Sequence, residues 1–475
     1  MLFRRFFVII IMKVGDIMKP NLLFIFADQH RRNDIGCYGN DEVITPNLDK
    51  FAESGLRFMN CTSNSPVCVP ARGSLLSGLF AQKHGAFTND IAINYDVMSI
   101  ADVLNNAGYN TGYIGKWHLC GIPRNQFIDE SRRLGFQTWK AANCNHDYLN
   151  CYYDDEANIR HTIDGYEPEI FGKLANEFLQ SQNNDEPWAL YLSFATPHNP
   201  HMRIPDEYLK IYDDTEVSLP DNVTENIMLT KDRFITKADQ LREVKGYYGH
   251  ITAIDKQFGI LLDTLRETNQ LDNTIIVYTA DHGDMLGSHG LTDKQCPYNE
   301  SVGVPLMISW NNHVMTGVNS ETIGLTDLPV SILNLMGLSF PTETDGKDLS
   351  GLFTDPNAKG LESCYIYDLY PCHNAYAKGY TAWRGIVTQN YTYAVTADGE
   401  WLLFDNINDP LQLNNLIGDT KYNEIKRNLS DMLNKHILKN DALVDGDGYI
   451  RMSGKIDEFN RSQVHFNYPI VEELP

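Results

Sequence analysis

The sequence has no run of basic residues and no excess of them. Its 39 lysines and arginines stand against 62 aspartates and glutamates, for a formal net charge of -23. Nucleic acids and anionic membranes bind proteins through clustered positive charge, so neither is expected as a partner. The apolar run at residues 6–12 is too short to span a bilayer, and we expect no stable membrane insertion. An anionic substrate would have to meet a local basic pocket.

The nine cysteines include no CxxC pair and no spacing typical of a zinc site. Because their number is odd, a disulfide framework is not expected and at least one thiol is left for chemistry. Unpaired cysteines favour a cytoplasmic protein. Export stays open, since residues 1–17 are either a signal-like segment or a mis-assigned start ahead of Met18.

The sequence also lacks repeats and low-complexity tracts, and shows instead short apolar runs that end abruptly in polar residues. Four of these runs, at residues 21–27, 111–115, 188–195 and 274–280, carry β-branched residues typical of buried strands. Helical patterns lie between them, such as the one that begins at Ser99 and ends at Gly108. This alternation predicts an α/β fold with a large, mostly parallel sheet sandwiched by helices.

The pattern changes after about residue 355. Short strand-like runs at residues 384–388, 391–396 and 401–405 are followed by a helical pattern near 423–438. We therefore predict a catalytic domain over residues 18–358 and a smaller C-terminal α+β subdomain, built on a short antiparallel sheet, over residues 359–475. Residues 141–170 and 200–245 are interpreted as long insertions, where substrate specificity commonly resides.

Polar residues follow each of the four apolar runs. In an open parallel sheet, ligands collect beyond the carboxyl ends of the strands, so these residues should converge. An aspartate after one strand is more often a helix cap, but two together with an amide and an imidazole suit a hard divalent cation. The residues are Asp28-Gln29, Lys116-Trp117-His118, Thr196-Pro197-His198 and Asp281-His282-Gly283-Asp284.

Cys68 lies two residues before Pro70, at a predicted helix N-terminus. Backbone N–H groups and the helix dipole favour an anion there, and Arg72 stands one turn further along. The same position would acidify the thiol. The simpler interpretation of a cysteine at a turn is a small buried apolar side chain.

Residues 68–73, C-V-P-A-R-G, resemble the C-x-P-x-R-G signature of the formylglycine-dependent sulfatases, a family with an alkaline-phosphatase-like fold. A separate enzyme oxidises that cysteine to formylglycine. The stretches ADQ at 27–29, GKWH at 115–118, TPH at 196–198 and ADHG at 280–283, and then Lys294, occur in the family's order. Gln29 stands where many members have aspartate, and His282 where many have asparagine, so the ligand set is less anionic here.

The resemblance implies hydrolysis of a sulfate ester by the hydrated aldehyde formed from Cys68. It also implies a formylglycine-generating or anaerobic sulfatase-maturating enzyme as a partner. The implied cation is Ca²⁺, with Mg²⁺ possible, and its implied ligands are Asp28, Gln29, Asp281, His282 and the modified Cys68. The implied catalytic residues are Cys68, Arg72, Lys116, His118, His198 and Lys294.

The roles implied for these residues favour a sulfated saccharide as the substrate. Arg72 and Lys116 would hold the oxygens of the diol and the sulfate, and His118 would accept a proton from the second hydroxyl. A sugar alkoxide is a poor leaving group and needs a proton, for which His198 and Lys294 are the candidates.

Two other functions stay open. A phosphodiesterase or phosphonate monoester hydrolase on the same fold could share the nucleophile, because a cationic pocket accepts several tetrahedral anions. A catalytically silent relative that binds sulfated glycans is of another class, and the complete set of nucleophile, acid and base counts against it. His84 follows the Cys68 helix and could reach the pocket, but histidines outside the motifs, such as His84 and His373, are more often solvated surface residues.

Overall fold

The computed structural model describes residues 19–472 apart from residues 184, 214 and 467, so the start at residues 1–17 lies outside the described part. The strands are β1 Asn21–Asp28, β2 Leu56–Thr62, β3 Asn110–Lys116, β4 Thr138–Ala142, β5 Asn150–Asp154, β6 Arg160–Asp164, β7 Trp188–Pro197, β8 Asn226–Thr230, β9 Arg233–Thr236, β10 Thr274–Ala280, β11 Gly303–Ser309, β12 Gly317–Gly324, β13 Cys364–Asp368, β14 Trp383–Val387, β15 Tyr391–Thr396 and β16 Gly399–Asp405. The helices are α1 Pro46–Ser54, α2 Cys68–Ser77, α3 Ala81–His84, α4 Ile100–Asn106, α5 Glu167–Ser181, α6 Asp206–Lys210, α7 Lys237–Glu267, α8 Asn299–Val302, α9 Leu328–Leu335, α10 Gly351–Thr354, α11 Asn374–Lys378, α12 Asn423–Asn440, α13 Gly446–Met452 and α14 Ile456–Phe466.

Ten strands form one sheet, in the order β12-β2-β11-β10-β1-β7-β3-β4-β5-β6. At its centre β1 pairs in parallel with β10 and β7, and β3 pairs in parallel with β7 and β4. The antiparallel pairings involve β11 and the last two strands of the sheet, β5 and β6. The four predicted runs are β1, β3, β7 and β10, which are neighbours, and the prediction of a large, mostly parallel sheet is confirmed.

Both faces of β1 are buried beneath helices. Leu22, Phe24 and Phe26 lie in one apolar cluster with residues of α2, α4 and α9. Leu23 and Ile25 lie in a second cluster with residues of α1, α5 and α7. Because successive side chains of a strand point to opposite faces, an uninterrupted apolar run is what a sheet covered on both sides requires.

The C-terminal part contains a second sheet, with β13, β14, β15 and β16 antiparallel and in chain order. Leu429 and Leu433 of α12 pack on it, which confirms the predicted α+β arrangement on a short antiparallel sheet. The same apolar cluster includes Phe80 and Phe87 from the N-terminal part of the chain. The two parts therefore share a core, and the division at residues 358/359 stays a prediction.

The two stretches interpreted as insertions contain regular structure. Residues 141–170 include β5 and β6, which extend the main sheet, and residues 200–245 include α6, the β8–β9 hairpin and the start of α7. Helix α7 is 31 residues long, and Thr236 caps it by accepting a hydrogen bond from Asp239 N. Within the described part of the chain, no helix combines the length and apolar composition needed to cross a membrane.

Candidate active site

The carboxyl ends of the four central strands bring their polar residues to one edge of the sheet. Asp28 ends β1, Lys116 ends β3, His198 follows β7 and Asp281 follows β10. Lys116 Nζ lies 2.6 Å from Asp28 Oδ2. Since these strands are adjacent and parallel, the convergence predicted from the sequence follows directly from the sheet order.

Cys68 begins α2 and points into this convergence. Its Sγ lies 3.2 Å from His282 Nε2 and 3.6 Å from Asp28 Oδ1, and the residue is 1% exposed. A Cβ added to Gly73 would lie 2.5 Å from His84 Cε1, so the glycine lets His84 pack against α2. His84 is thus a fully buried residue behind the helix, not the solvated surface histidine expected from the sequence.

Arg72 donates hydrogen bonds to both central carboxylates. Its Nε donates to Asp281 Oδ2 at 3.0 Å, and its Nη2 donates to Asp28 Oδ2 at 2.9 Å. Its Nη1 donates to the backbone oxygen of Lys116 and to Ser193 Oγ. Burial alone would raise the pKa of Asp28, but Lys116 and Arg72 hold it well below its ordinary value. The Oδ2 atoms of both aspartates are therefore held by Arg72.

Four side chains surround a point where a cation could bind. Atoms of Asp28, Cys68, Asp281 and His282 all lie within 4.8 Å of one another, the one such group found among the described residues. His282 Nδ1 is 2.9 Å from Gly283 O, so Nε2 presents its lone pair to the cluster. Two carboxylates and an imidazole suit a divalent cation, and an oxygen in place of the Cys68 sulfur would make the set fit a hard one.

Gln29 lies beside this cluster, in a left-handed conformation with φ 66°. Its amide oxygen accepts a hydrogen bond from Lys294 Nζ, and its amide nitrogen donates to Asp284. Its backbone N–H donates to Asp281 Oδ1 at 2.9 Å. The amide oxygen can also face a cation, because a carbonyl oxygen has two lone pairs.

Charge around Cys68 favours its anion. Burial and Asp28 act to raise the pKa of the thiol, but Lys294, Lys116 and His282 outweigh them and lower it below the ordinary value. Burial acts to lower the pKa of Lys294, while Cys68 and Asp28 raise it above the ordinary value. The positive charges of Lys294 and Lys116 are therefore placed to stabilise an anion at the position of Cys68.

Lys294 and His198 form a hydrogen-bonded pair, with 2.9 Å between Lys294 Nζ and His198 Nε2. His198 Nδ1 lies 2.7 Å from Asn199 O and carries the ring hydrogen, so Nε2 accepts from the ammonium group. Burial and the charge of Lys294 hold the pKa of His198 well below its ordinary value. The proton shared by the pair resides on Lys294.

His118 is a buried imidazole that follows β3. Its backbone has φ 61°, and its backbone N–H donates to Asn143 O at 2.6 Å. Neither ring nitrogen has a hydrogen-bond partner among the described residues. Burial and the charge of Lys116 hold its pKa well below the ordinary value, which leaves a lone pair available to accept a proton.

His146 belongs to the pocket but was not predicted from the sequence. Its ring stacks on that of His198, with centroids 4.4 Å apart and planes inclined by 12°. Its Nε2 lies 3.3 Å from Lys116 Nζ. It sits in the stretch interpreted as an insertion, where no motif marks it, so the sequence carried no signal that could have singled it out.

Comparison with known proteins identifies the family. Residues 20–338, more than half of the chain, match the sulfatase family model, and residues 287–439 match the model of the C-terminal region of N-sulphoglucosamine sulphohydrolase. An ulvan-active sulfatase of Formosa agariphila is 34% identical over 91% of this chain and 84% of its own. An N-acetylglucosamine-6-O-sulfatase of Bacteroides thetaiotaomicron is 26% identical over 87% and 86%.

Solved structures agree with this assignment. The yidJ protein of Bacteroides fragilis superposes with a TM-score of 0.81 and 30% identity, over 90% of this chain and 97% of its own. A phosphonate monoester hydrolase of Agrobacterium radiobacter shares the fold, with a TM-score of 0.71 and 19% identity over 90% and 96%. The chain belongs to the sulfatase family, whose members hydrolyse sulfate esters.

Proposed function

We propose that the protein hydrolyses the sulfate ester of a saccharide at Cys68, after that residue has been converted to formylglycine. The observation that carries this proposal is the position of Cys68 Sγ. It lies at the N-terminus of α2, 3.2 Å from His282 Nε2 and 3.6 Å from Asp28 Oδ1, in a pocket that also holds Arg72 and Lys116.

Asp28, Asp281, His282 and the modified Cys68 would hold a divalent cation, Ca²⁺ or otherwise Mg²⁺, with Gln29 as a further ligand from beside the cluster. Bound there, the cation would neutralise sulfate charge and lower the pKa of a hydroxyl of the hydrated formylglycine. Arg72 donates hydrogen bonds to Oδ2 of both aspartates. These bonds fix the orientation of the two carboxylates and leave their Oδ1 atoms for the cation. Lys116 and Lys294 supply positive charge to an anionic substrate.

Lys294 and His198 would protonate the leaving oxygen. The proton resides on Lys294 Nζ, and His198 Nε2 accepts a hydrogen bond from it. Loss of that proton to the substrate leaves two neutral bases in contact. It also removes the Lys294 charge, which, after burial, holds the pKa of His198 low. Such a pair is useful for a sugar alkoxide and of little use for a phenolate, so it supports a saccharide substrate.

His118 would act as the general base that restores the enzyme. Its ring is neutral, buried and without a hydrogen-bond partner in the described part of the chain, so its lone pair can take a proton from the second hydroxyl of the nucleophile. Acid and base then come from different strands, since His198 follows β7 and His118 follows β3.

The test is the mass of the peptide that spans Cys68, from protein produced together with a formylglycine-generating or anaerobic sulfatase-maturating enzyme. The same sample is assayed for sulfate release from a panel of sulfated mono- and disaccharides, with Ca²⁺ and with a chelator. We expect the formylglycine mass, and release that depends on the cation and is lost in Cys68→Ala. Cys61→Ala, a buried cysteine of β2, is the control and should retain both.

The other outcomes point to the alternative functions. Turnover of phosphonates or phosphodiesters without sulfate release would identify a hydrolase of that class on the same fold. Binding of a sulfated glycan without turnover of any ester by the aldehyde form would identify a silent relative. Active protein in which Cys68 stays a thiol would refute the nucleophile proposed here.

A further inference from the structure

Three side chains from distant parts of the chain form a buried polar cluster, here called the rim cluster: Asp90, Arg124 and His373. Arg124 Nε and Nη2 donate to the two carboxylate oxygens of Asp90 at 2.7 and 2.8 Å. His373 Nε2 lies 2.9 Å from Asp90 Oδ2. The Asp90 side chain is 0% exposed, whereas the side chains of Arg124 and His373 are 25% and 26% exposed. The exposed edge of the cluster is thus arginine and histidine.

One side of the rim cluster is joined to the residues around Lys116. The backbone oxygen of Arg124 accepts from Cys144 N at 3.1 Å. Cys144 Sγ lies 3.6 Å from His146 Nε2, which in turn lies 3.3 Å from Lys116 Nζ. The charges of Arg124 and Asp90 also act on the pKa of His118, after burial and Lys116.

The other side is joined to the residue next to Lys294. Cys372, which precedes His373, donates its N–H to Gln295 Oε1 at 2.8 Å, and Gln295 Nε2 donates to Cys372 O at 3.1 Å. The rim cluster is therefore connected on one side to Lys116 and on the other to the neighbour of Lys294, and both lysines belong to the pocket around Cys68.

The backbone of the rim cluster is strained. Asp90 has φ 67°, and His373 has φ 50° with ψ -119°. Residues other than glycine rarely adopt such conformations, and they persist where the surrounding structure fixes them, often at functional sites. The Arg124 guanidinium lies 4.8 Å from the centre of the Phe466 ring, and the His373 ring lies 5.4 Å from it, so aromatic packing holds both exposed members in place.

The hydrogen-bonding pattern of the exposed edge is one donor beside one acceptor. Burial acts to raise the pKa of Asp90, but Arg124 and His373 hold it far below its usual range, so Asp90 is an ionised acceptor. His373 Nε2 therefore carries the ring hydrogen, and Nδ1 has a lone pair. Arg124 Nη1 and His373 Nδ1 have no hydrogen-bond partner among the described residues.

The carboxylate of Asp90 neutralises the charge of the Arg124 guanidinium. A second sulfate or a carboxylate would find no net positive charge there, whereas a hydroxyl group both donates and accepts a hydrogen bond. We propose that the rim cluster is a saccharide subsite that binds uncharged hydroxyl groups of the sulfated sugar, with Arg124 Nη1 donating and His373 Nδ1 accepting. This inference rests on the proposed function.

The test compares Arg124→Met with the wild type, both carrying formylglycine. The substrates are 4-nitrophenyl sulfate, which has no hydroxyl groups, and the fastest substrate in a panel of sulfated monosaccharides that includes N-acetylglucosamine 6-sulfate. The ratio of kcat/KM for the sugar to kcat/KM for the aryl ester should fall about 10- to 100-fold, the usual effect of losing a hydrogen bond to a charged donor. An unchanged ratio, with both esters affected equally, overturns the subsite.

Arg160→Met is the matched control. Arg160 makes the same two-bond pair with Asp154, at 2.8 and 2.9 Å, has a 27% exposed side chain, and stacks over Tyr152 at 4.1 Å. It lies on edge strand β6, and its loss should leave the ratio unchanged. If Arg124→Met does not fold, His373→Phe removes only the ring nitrogens, keeps an aromatic ring against Phe466, and should lower the same ratio.

Two further outcomes separate the subsite from the proposed function. Matured wild-type protein that hydrolyses the aryl sulfate and none of the panel sugars overturns the subsite and leaves the nucleophile in place. Matured protein that hydrolyses neither ester overturns the proposed function, and the subsite with it.

Discussion

The rings of His146 and His198 lie face to face, with centroids 4.4 Å apart. His146 also contacts Lys116 through Nε2. We therefore expect His146→Ala to let the His198 ring move and to reduce kcat on a sulfated sugar roughly tenfold, about 1.4 kcal/mol of barrier, with a smaller change in KM. Steady-state kinetics on the sugar and on 4-nitrophenyl sulfate measure this, and the aryl ester should lose less.

His161→Ala controls for the loss of a stacked histidine. His161 stacks on Tyr153 with centroids 4.7 Å apart, in β6 and away from Cys68. It should retain kcat on both substrates. Equal losses on sugar and aryl esters in His146→Ala would show that His146 does not act through the proton donor.

Lys294→Met removes the proton that the Lys294–His198 pair holds. We expect a loss of about 10²- to 10⁴-fold in kcat/KM on sugar sulfates, the range of general acid catalysis, and a clearly smaller loss on 4-nitrophenyl sulfate, whose leaving group needs no proton. The measurement is the slope of log kcat/KM against leaving-group pKa, which should become steeper in the variant. An unchanged slope would assign Lys294 to sulfate binding alone.

Arg72→Lys breaks the link between Asp28 and Asp281, because an ammonium group cannot reach both carboxylates as a guanidinium does. Leaving one buried carboxylate without its partner should cost roughly 3 kcal/mol in the free energy of unfolding, and should also weaken the rise in melting temperature on adding Ca²⁺. Urea unfolding and thermal melting measure the two effects.

Arg384→Lys is the control for that experiment. Arg384 pairs with Asp441 in the C-terminal part, and both side chains are buried. The variant should lose comparable stability but keep the full response of the melting temperature to Ca²⁺. If both variants keep the response, Arg72 has no part in shaping the cation site.

Glu167 should make the protein less stable as the pH rises. It accepts hydrogen bonds from Ala195 N and Thr196 Oγ1, and burial raises its pKa from 4.5 to about 8. The folded state therefore binds a proton that the unfolded state has lost. The stabilisation is lost as the pH rises from 4.5 to about 8, at about 1.4 kcal/mol per pH unit.

Glu167→Gln keeps the neutral form at every pH. The free energy of unfolding of the wild type, minus that of the variant, should thus fall between pH 6 and pH 9. Urea unfolding at the two values gives this difference. A difference that stays constant or grows with pH would place the carboxylate in its charged form throughout.

The fold could be predicted where a strand is buried on both faces and so appears as an apolar run. This held for β1, β3, β7 and β10, which form the centre of the sheet. The strand β11 could not be recognised in this way, because Pro305 interrupts its apolar run. The structure accommodates the proline with a register shift between Val304 and Leu306. Nor could β6 be recognised, because it lies at the sheet edge and its side chains are half exposed and polar.

The candidate site could be predicted where residues follow strand ends or belong to a family motif. His146 and the rim cluster could not, because their positions depend on contacts between distant segments. Asp90 and His373 are 283 residues apart in the chain, and nothing local to either residue indicates the other. Gln29 shows the same limit, since its contacts with Lys294 and Asp284 depend on loops that β1 does not determine.

Burial of Cys68 also limits when the residue can be modified. The imidazole that covers its sulfur is His282, 214 residues further along the chain. At a synthesis rate of about 5–20 residues per second, His282 leaves the ribosome roughly 10–40 s after Cys68. A maturation enzyme that needs an accessible cysteine therefore has at least that interval to act on the nascent chain, and slower translation between the two residues would lengthen it.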